Sequence, residues 1–213
     1  MALPAPPVLL ITDRMQAHRP LAEVVAAALA GGCRWVGVRE KDLPADGLAA
    51  LVRKLLPLAE RHGARLTVHG DPAAAGLCHG VHLPAGGDAA RARGLLGPAA
   101  LVGVSCHTLA EVRAAREGGA DYVTFSPVFP TESKPGYGPA LGPGALAEAA
   151  AIGVPVLALG GVDAGNAAAC RRAGAAGLAV MGGIMRAGDP AAAMRELLAA
   201  LAADATPGRT DRF

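Results

Sequence analysis

Two cations stand two residues apart in the run Gly37-Val38-Arg39-Glu40-Lys41, directly after a short apolar stretch. On an extended backbone, residues i and i+2 share a face, so Arg39 and Lys41 could point at one anion; the alternative is a solvated loop rim. A histidine, His107, closes the run Ser105-Cys106-His107. Imidazole titrates near neutrality and can take and return a proton, although a histidine there could equally cap or pack. The longest connection is Ser126-Pro127-Val128-Phe129-Pro130-Thr131-Glu132-Ser133-Lys134-Pro135-Gly136. Thr131, Ser133 and Lys134 suit an anion, and the prolines reduce the entropy lost when such a loop closes. Connections of this length are more often functional than simple. Finally, Gly160-Gly161 and Gly182-Gly183 each follow an apolar run. Glycine lets backbone N–H groups approach an anion closely, and a helix starting there adds positive potential. With Met181 these four glycines form an expected phosphate site.

Other histidines bear on metal chemistry. His69 and His82 also end apolar runs and could face the same opening, but only Asp71 stands nearby as an acid, so no metal site is expected. His18, His62 and His79 read as surface residues. Cys106 and His107 are adjacent and point to opposite faces of a strand, which argues against a thiol–imidazole nucleophile.

The elements that must carry these residues alternate. Short apolar runs recur at Leu9–Thr12, Trp35–Arg39, Arg65–Val68, Gly80–Leu83, Leu101–Ser105, Tyr122–Phe125, Val156–Ala158 and Gly177–Met181. They are short and nearly continuously apolar, as parallel strands buried on both faces must be. Between them, segments such as Leu21–Leu29, Leu48–Glu60, Leu109–Glu117 and Ala191–Leu201 space apolar residues three or four apart. The sequences AGGCRWVGV, EGGADYVTF and RAGAAGLAV repeat one device, a helix ended by glycine and followed at once by a buried strand. Eight such units with right-handed crossovers predict a (β/α)₈ TIM barrel, with a doubly wound open sheet as the rival. Every candidate residue above then falls at a strand C-terminus or in the loop after it, where barrels place their chemistry.

Composition narrows the function classes. The 213 residues fit one domain, 1–213, with a frayed tail from about 203 to 213. At 52 % hydrophobic but 3 % aromatic, the core must be built from Ala, Val and Leu. A net charge of +2 without a Lys/Arg stripe argues against nucleic acid. Cys33, Cys78, Cys106 and Cys170 form no CxxC pair, which points to a reducing, cytoplasmic setting, and no run reaches membrane-spanning length.

Across Leu10 to about Leu201 the motifs VREK (38–41), GVHLP (80–84), GVSCH (103–107), GADYVTFSPVFPTESKPG (119–136), ALGGV (158–162) and GLAVMGGI (177–184) together resemble the thiamin phosphate synthase/TenI superfamily. The resemblance implies a TIM barrel of thiamin biosynthesis and a homo-oligomer. Synthases of that superfamily use magnesium and typically carry Gln where this chain has Gly37, and an Asn-Asp pair where it has His69-Gly70. A second metal carboxylate follows their fourth strand; Asp88 is the acid nearest to that place here. These departures lead to the expectation of a TenI-type thiazole tautomerase, an isomerase without cofactor that aromatises a thiazole phosphate carboxylate. In that reading His107 moves the proton, Arg39 and Lys41, helped by Lys134, hold the carboxylate or make the mouth positive, Thr131 and Ser133 also bind the substrate, and Gly160, Gly161, Met181, Gly182 and Gly183 hold the phosphate. Two alternatives stand beside it. One is a divergent, Mg²⁺-using thiamin phosphate synthase joining a pyrimidine pyrophosphate to a thiazole phosphate. The other is a regulatory barrel that binds thiazole phosphate without turning it over.

Overall fold

Eight parallel strands close on themselves in sequence order, β1 (Val8–Ile11), β2 (Trp35–Val38), β3 (Arg65–His69), β4 (Gly80–Leu83), β5 (Leu101–Cys106), β6 (Tyr122–Phe125), β7 (Val156–Leu159) and β8 (Gly177–Val180). The closing seam pairs Leu9 with Ala179. The computed structural model describes residues 2–131 and 139–203. The barrel is thus the one expected, with strand limits within a residue or so of those read from apolar runs, and the open-sheet rival is excluded by the β1–β8 pairing.

Around the strands run α1 (Leu21–Ala30), α2 (Ala45–Arg61), α3 (Pro72–Ala75), α4 (Ala89–Leu96), α5 (Leu109–Glu117), α6 (Gly142–Ala150), α7 (Ala167–Arg172), α8 (Gly182–Met185) and α9 (Pro190–Ala203). The repeated glycine turns share one hydrogen-bond pattern. Gly32, Gly119 and Gly174 have φ of 106°, 77° and 87°. Each N–H returns to a carbonyl three residues back, and the next residue's N–H returns to one five back, as in Cys33 to Ala28. This is the Schellman closure, and positive φ is why glycine stands there. Gly63, after α2, makes a fourth copy. No described helix is long and apolar enough to cross a membrane.

Strand alternation divides the buried residues. Val8, Leu10, Val36 and Val38 face the helices, whereas Leu9, Ile11, Trp35, Leu101, Tyr122, Leu157 and Ala179 fill the barrel interior. The Trp35 and Tyr122 rings meet edge to face at 4.6 Å. Tyr122 has room only because β5 presents Gly103 beneath it: a Cβ there would lie 2.1 Å from Tyr122 Cζ. Above this apolar plug the interior turns polar, with Thr67, His82, Thr124 and Ser126 all buried. The site rests on that layer.

Candidate active site

At the C-terminal end of the barrel a cavity of about 370 Å³ is lined by Arg39, Lys41, His69, Ser105, His107, Ser126, Thr131, Gly160 and Met181, among others. Arg39 and Lys41 follow β2 and share the cavity, as the alternation required. Their backbone is clamped to the loop after β1. The Arg39 N–H donates to Thr12 Oγ1 at 3.0 Å. Glu40, between the two cations, is buried and accepts from the Arg14 N–H at 3.0 and 3.2 Å. The Arg14 guanidinium also reaches Glu40 at 3.2 Å and forks onto Asp42 at 2.7 and 2.6 Å. The acid of this run is therefore bound to Arg14, leaving Arg39 and Lys41 as the charges offered to a ligand.

The floor is a hydroxyl–imidazole network. His82 Nδ1 lies 3.0 Å from the Tyr122 hydroxyl, and its Nε2 lies 2.9 Å from Ser105 Oγ and 3.3 Å from Thr124 Oγ1. Burial, and then the charge of Arg39, hold the His82 pKa down to about 3, so this ring is neutral at physiological pH. The His69 ring stacks obliquely on it, centroids 4.5 Å apart. His69 fits because β2 carries Gly37: a Cβ there would sit 3.1 Å from His69 Nε2. His79, read as a surface residue, is half-buried, and its Nδ1 accepts from the Leu66 N–H at 3.0 Å.

His107 lies on the cavity wall just before α5. Its Nδ1 is 2.8 Å from the Ser126 carbonyl, which can only accept, so Nδ1 carries a proton. Capping of α5 falls to Thr108 and Glu111, each bonding the other's backbone N–H. Cys106 is buried among the outward-facing core residues, and burial pushes its thiol up to about 12. A Cys106–His107 nucleophile is thereby ruled out.

The glycine pairs do two jobs. Gly160 borders the cavity, yet both Gly160 and Gly161 have positive φ and lie under the loop after β6. A Cβ at Gly160 would meet Pro127 Cα at 2.8 Å, and one at Gly161 would meet the Pro130 carbonyl oxygen at 2.2 Å. That loop is tied down by Val128 N–H to Leu159 and Phe129 N–H to Gly160. Close packing thus accounts for part of a signal read from sequence as room for phosphate. Gly182 begins α8 and is buried, while Gly183 is exposed with open space about its Cβ position. Thr131 reaches the cavity; Ser133 and Lys134 lie outside the described residues.

The nearby acids have other work. Asp71 caps α3, accepting from Ala73 and Ala74 at 2.8 and 3.2 Å. Asp88 caps α4 through the Arg91 N–H at 2.8 Å. Among the described residues, no three His, Cys, Asp or Glu side chains are grouped to hold a metal ion. Sequence reading missed the Arg14–Glu40 clamp, the hydroxyls of Ser105 and Ser126, and the His82–Tyr122 link. Ser105 and Ser126 were recoverable from strand parity alone, since both stand on inward positions.

Residues 8–184 match the family model described as thiamine monophosphate synthase. A "putative thiamine-phosphate synthase" of Geobacter sulfurreducens is 48 % identical over 197 residues, covering 90 % of this chain and 92 % of that protein. A thiamine-phosphate synthase of Roseiflexus sp. is 42 % identical, covering 92 % and 85 %. Among solved structures, the thiamine phosphate pyrophosphorylase of Pyrococcus furiosus superposes with a TM-score of 0.83 at 28 % identity, covering 93 % and 96 % of the two chains. These relatives are named for a transferase, so the expected isomerase, a thiazole tautomerase with His107 as its proton carrier, does not stand. The departures at Gly37, His69 and Gly70 were read as marking a different reaction, but they occur within a chain that is close to the synthases along nearly its whole length. The chain belongs to the thiamine monophosphate synthase (TMP-TENI) family.

Proposed function

We propose that the chain is a transferase of thiamin biosynthesis, joining a pyrimidine pyrophosphate to a thiazole phosphate to give thiamin phosphate and pyrophosphate. The observation that carries this reading is the 48 % identity, across 90 % of the chain, to a relative named for that synthase. The cavity's chemistry supports it. In the transfer, the bond between the pyrimidine methylene carbon and the pyrophosphate oxygen breaks, and pyrophosphate leaves with the electron pair. The thiazole nitrogen supplies the pair for the new C–N bond and becomes positive. The developing charge is negative at the leaving group, where Arg39 and Lys41, fixed by Thr12 and the Arg14–Glu40 clamp, would stabilise it. Gly160, Gly161, Met181, Gly182 and Gly183 would hold the thiazole phosphate across the cavity through backbone N–H groups. Thr131, and Ser133 and Lys134 beyond it, would meet the substrates from the loop after β6. His107 becomes a wall residue, since the transfer removes no proton from the thiazole ring.

Magnesium would neutralise the pyrophosphate in such chemistry. The described residues do not fit it: Glu40 is engaged by Arg14, Asp71 and Asp88 cap helices, and no three His, Cys, Asp or Glu side chains among them are grouped to hold an ion. The four cysteines are free thiols, in keeping with a cytoplasmic setting. The test is to supply both substrates with and without Mg²⁺ and follow thiamin phosphate and released pyrophosphate together. Equimolar formation of both is expected; absence of product while thiazole phosphate still binds would overturn the reading in favour of a non-catalytic binder.

A further inference from the structure

The buried hydroxyls and rings beneath the cavity form a chain of hydrogen bonds whose direction follows from the chemistry of its members. At the deep end the Trp35 indole N–H, which can only donate, reaches Thr67 Oγ1 at 3.2 Å. Thr67 is in turn hydrogen-bonded to Tyr122. Burial pushes the Tyr122 hydroxyl above its ordinary pKa, so it keeps its hydrogen. That hydroxyl lies 3.0 Å from His82 Nδ1, and on the other side of the ring Nε2 faces two more hydroxyls, Ser105 at 2.9 Å and Thr124 at 3.3 Å.

A neutral imidazole has one N–H and one lone pair. A lone pair on Nε2 could accept from only one of the two hydroxyls before it, whereas an N–H there is shared by both oxygens in a three-centre bond. With the hydrogen on Nε2 the lone pair falls on Nδ1, where Tyr122 donates. The links from Tyr122 onward then run one way, out of the barrel core towards Ser105. Ser105 is half-buried and lines the cavity. Its oxygen accepts from His82, so its own hydrogen points away from the ring, into the space above.

We infer that His82 is a positioning residue: by donating from Nε2 it makes Ser105 a hydrogen-bond donor aimed into the cavity, where Ser105 meets an acceptor atom of the bound substrate. The reverse chain would present the lone pairs of Ser105 to that same atom. His82 is 1 % exposed with both nitrogens engaged, so it acts through Ser105 and offers the ligand no hydrogen bond of its own. The inference rests on the transferase reading for its substrate, but the direction of the chain can be measured without turnover.

The experiment begins with nitrogen NMR of the full-length wild type labelled with ¹⁵N in its histidines, the His82 signals being those lost in His82→Gln. Near neutral pH, Nε2, the nitrogen coupled to both ring C–H protons, should be the protonated one. A proton on Nδ1 instead overturns the inference, with no variant needed to settle it. The second arm is a cycle of His82→Leu, Ser105→Ala and the double variant in the coupling assay. Each single change should lower kcat/KM about tenfold, the worth of one hydrogen bond. The double variant should be no worse than Ser105→Ala, because His82 has nothing else to act through. His82→Gln, which can still accept from Tyr122 and donate to Ser105, should recover most of what His82→Leu loses. A purely structural His82 would lower Tm in the same variants with kcat/KM unchanged or with losses that multiply, and either result overturns the positioning role. Wild type that forms no thiamin phosphate removes the transferase reading, while the tautomer still decides the direction of the chain.

Discussion

His82 gives the most quantitative handle on the site. In the folded barrel its pKa is held near 3, first by burial and then by Arg39, whereas an unfolded histidine titrates near 6.5. Between those two values the unfolded chain binds a proton that the folded chain refuses, so stability rises with pH across the window and falls on acidification. The contribution is complete above pH 6.5 and is lost at about 1.4 kcal/mol per pH unit below it, until the folded ring itself titrates. At pH 4.5 the loss is about 3 kcal/mol, or about 6–12 °C in Tm for a chain of this size. Other groups also titrate over that range, so the informative quantity is a double difference. Urea denaturation of wild type and His82→Gln should be compared at pH 7 and pH 4.5. Glutamine keeps hydrogen-bonding partners for Tyr122 and Ser105 but cannot acquire the proton. The variant is expected to be less stable at pH 7 and to lose about 3 kcal/mol less than wild type on going to pH 4.5. Equal losses in the two proteins would refute the reasoning, because His82 would then be charged in the folded state and the floor of the cavity would be neither dry nor neutral.

Two further outcomes follow from the clamp and the loop. Glu40→Gln removes the charge that Arg14 grips while keeping the shape, and should cost about 1–2 kcal/mol, discounted for the partly exposed Arg14; steady-state kinetics should show KM for the pyrimidine pyrophosphate rising more than kcat falls, and unchanged values of both would reject Glu40 as a positioning residue. Gly161→Ala drives a methyl into the Pro130 carbonyl at a φ of +62° and should lower stability by about 1–3 kcal/mol while weakening thiazole phosphate binding, which thermal melts and titration measure separately.

The barrel was legible because its strands are buried on both faces, so each of the eight appears as an uninterrupted apolar run whatever the helices do. The helices were less so. Residues 89–96 and 142–150 are rich in Ala and Gly, which blurs the contrast between faces, and α3, α7 and α8 are too short for any period to emerge. In the site, Arg39, Lys41 and His107 could be placed from strand parity and from their position at strand ends. The His82 network could not: its members are contributed by β4, β5 and β6 and lie 23 and 40 residues apart, and a lone serine or tyrosine in a strand gives no hint of its neighbour. Glu40 was hidden for another reason. Between two cations it looks like a member of their group, and only the fold shows it turned to Arg14. The reaction itself was misjudged because missing carboxylates were weighed above similarity along the whole chain, although local losses in a binding site are compatible with an unchanged scaffold.

Gly37 and Gly103 each lend their empty volume to a ring borne by an adjoining strand, His69 in one case and Tyr122 in the other. Bulk at these places is therefore shared property of two positions: a larger residue at 103 demands a smaller one at 122, and one at 37 displaces the imidazole of 69. Among relatives these positions should drift in couples, small with large. Grafting a relative's rim onto this barrel would fail unless both halves of each couple were exchanged together.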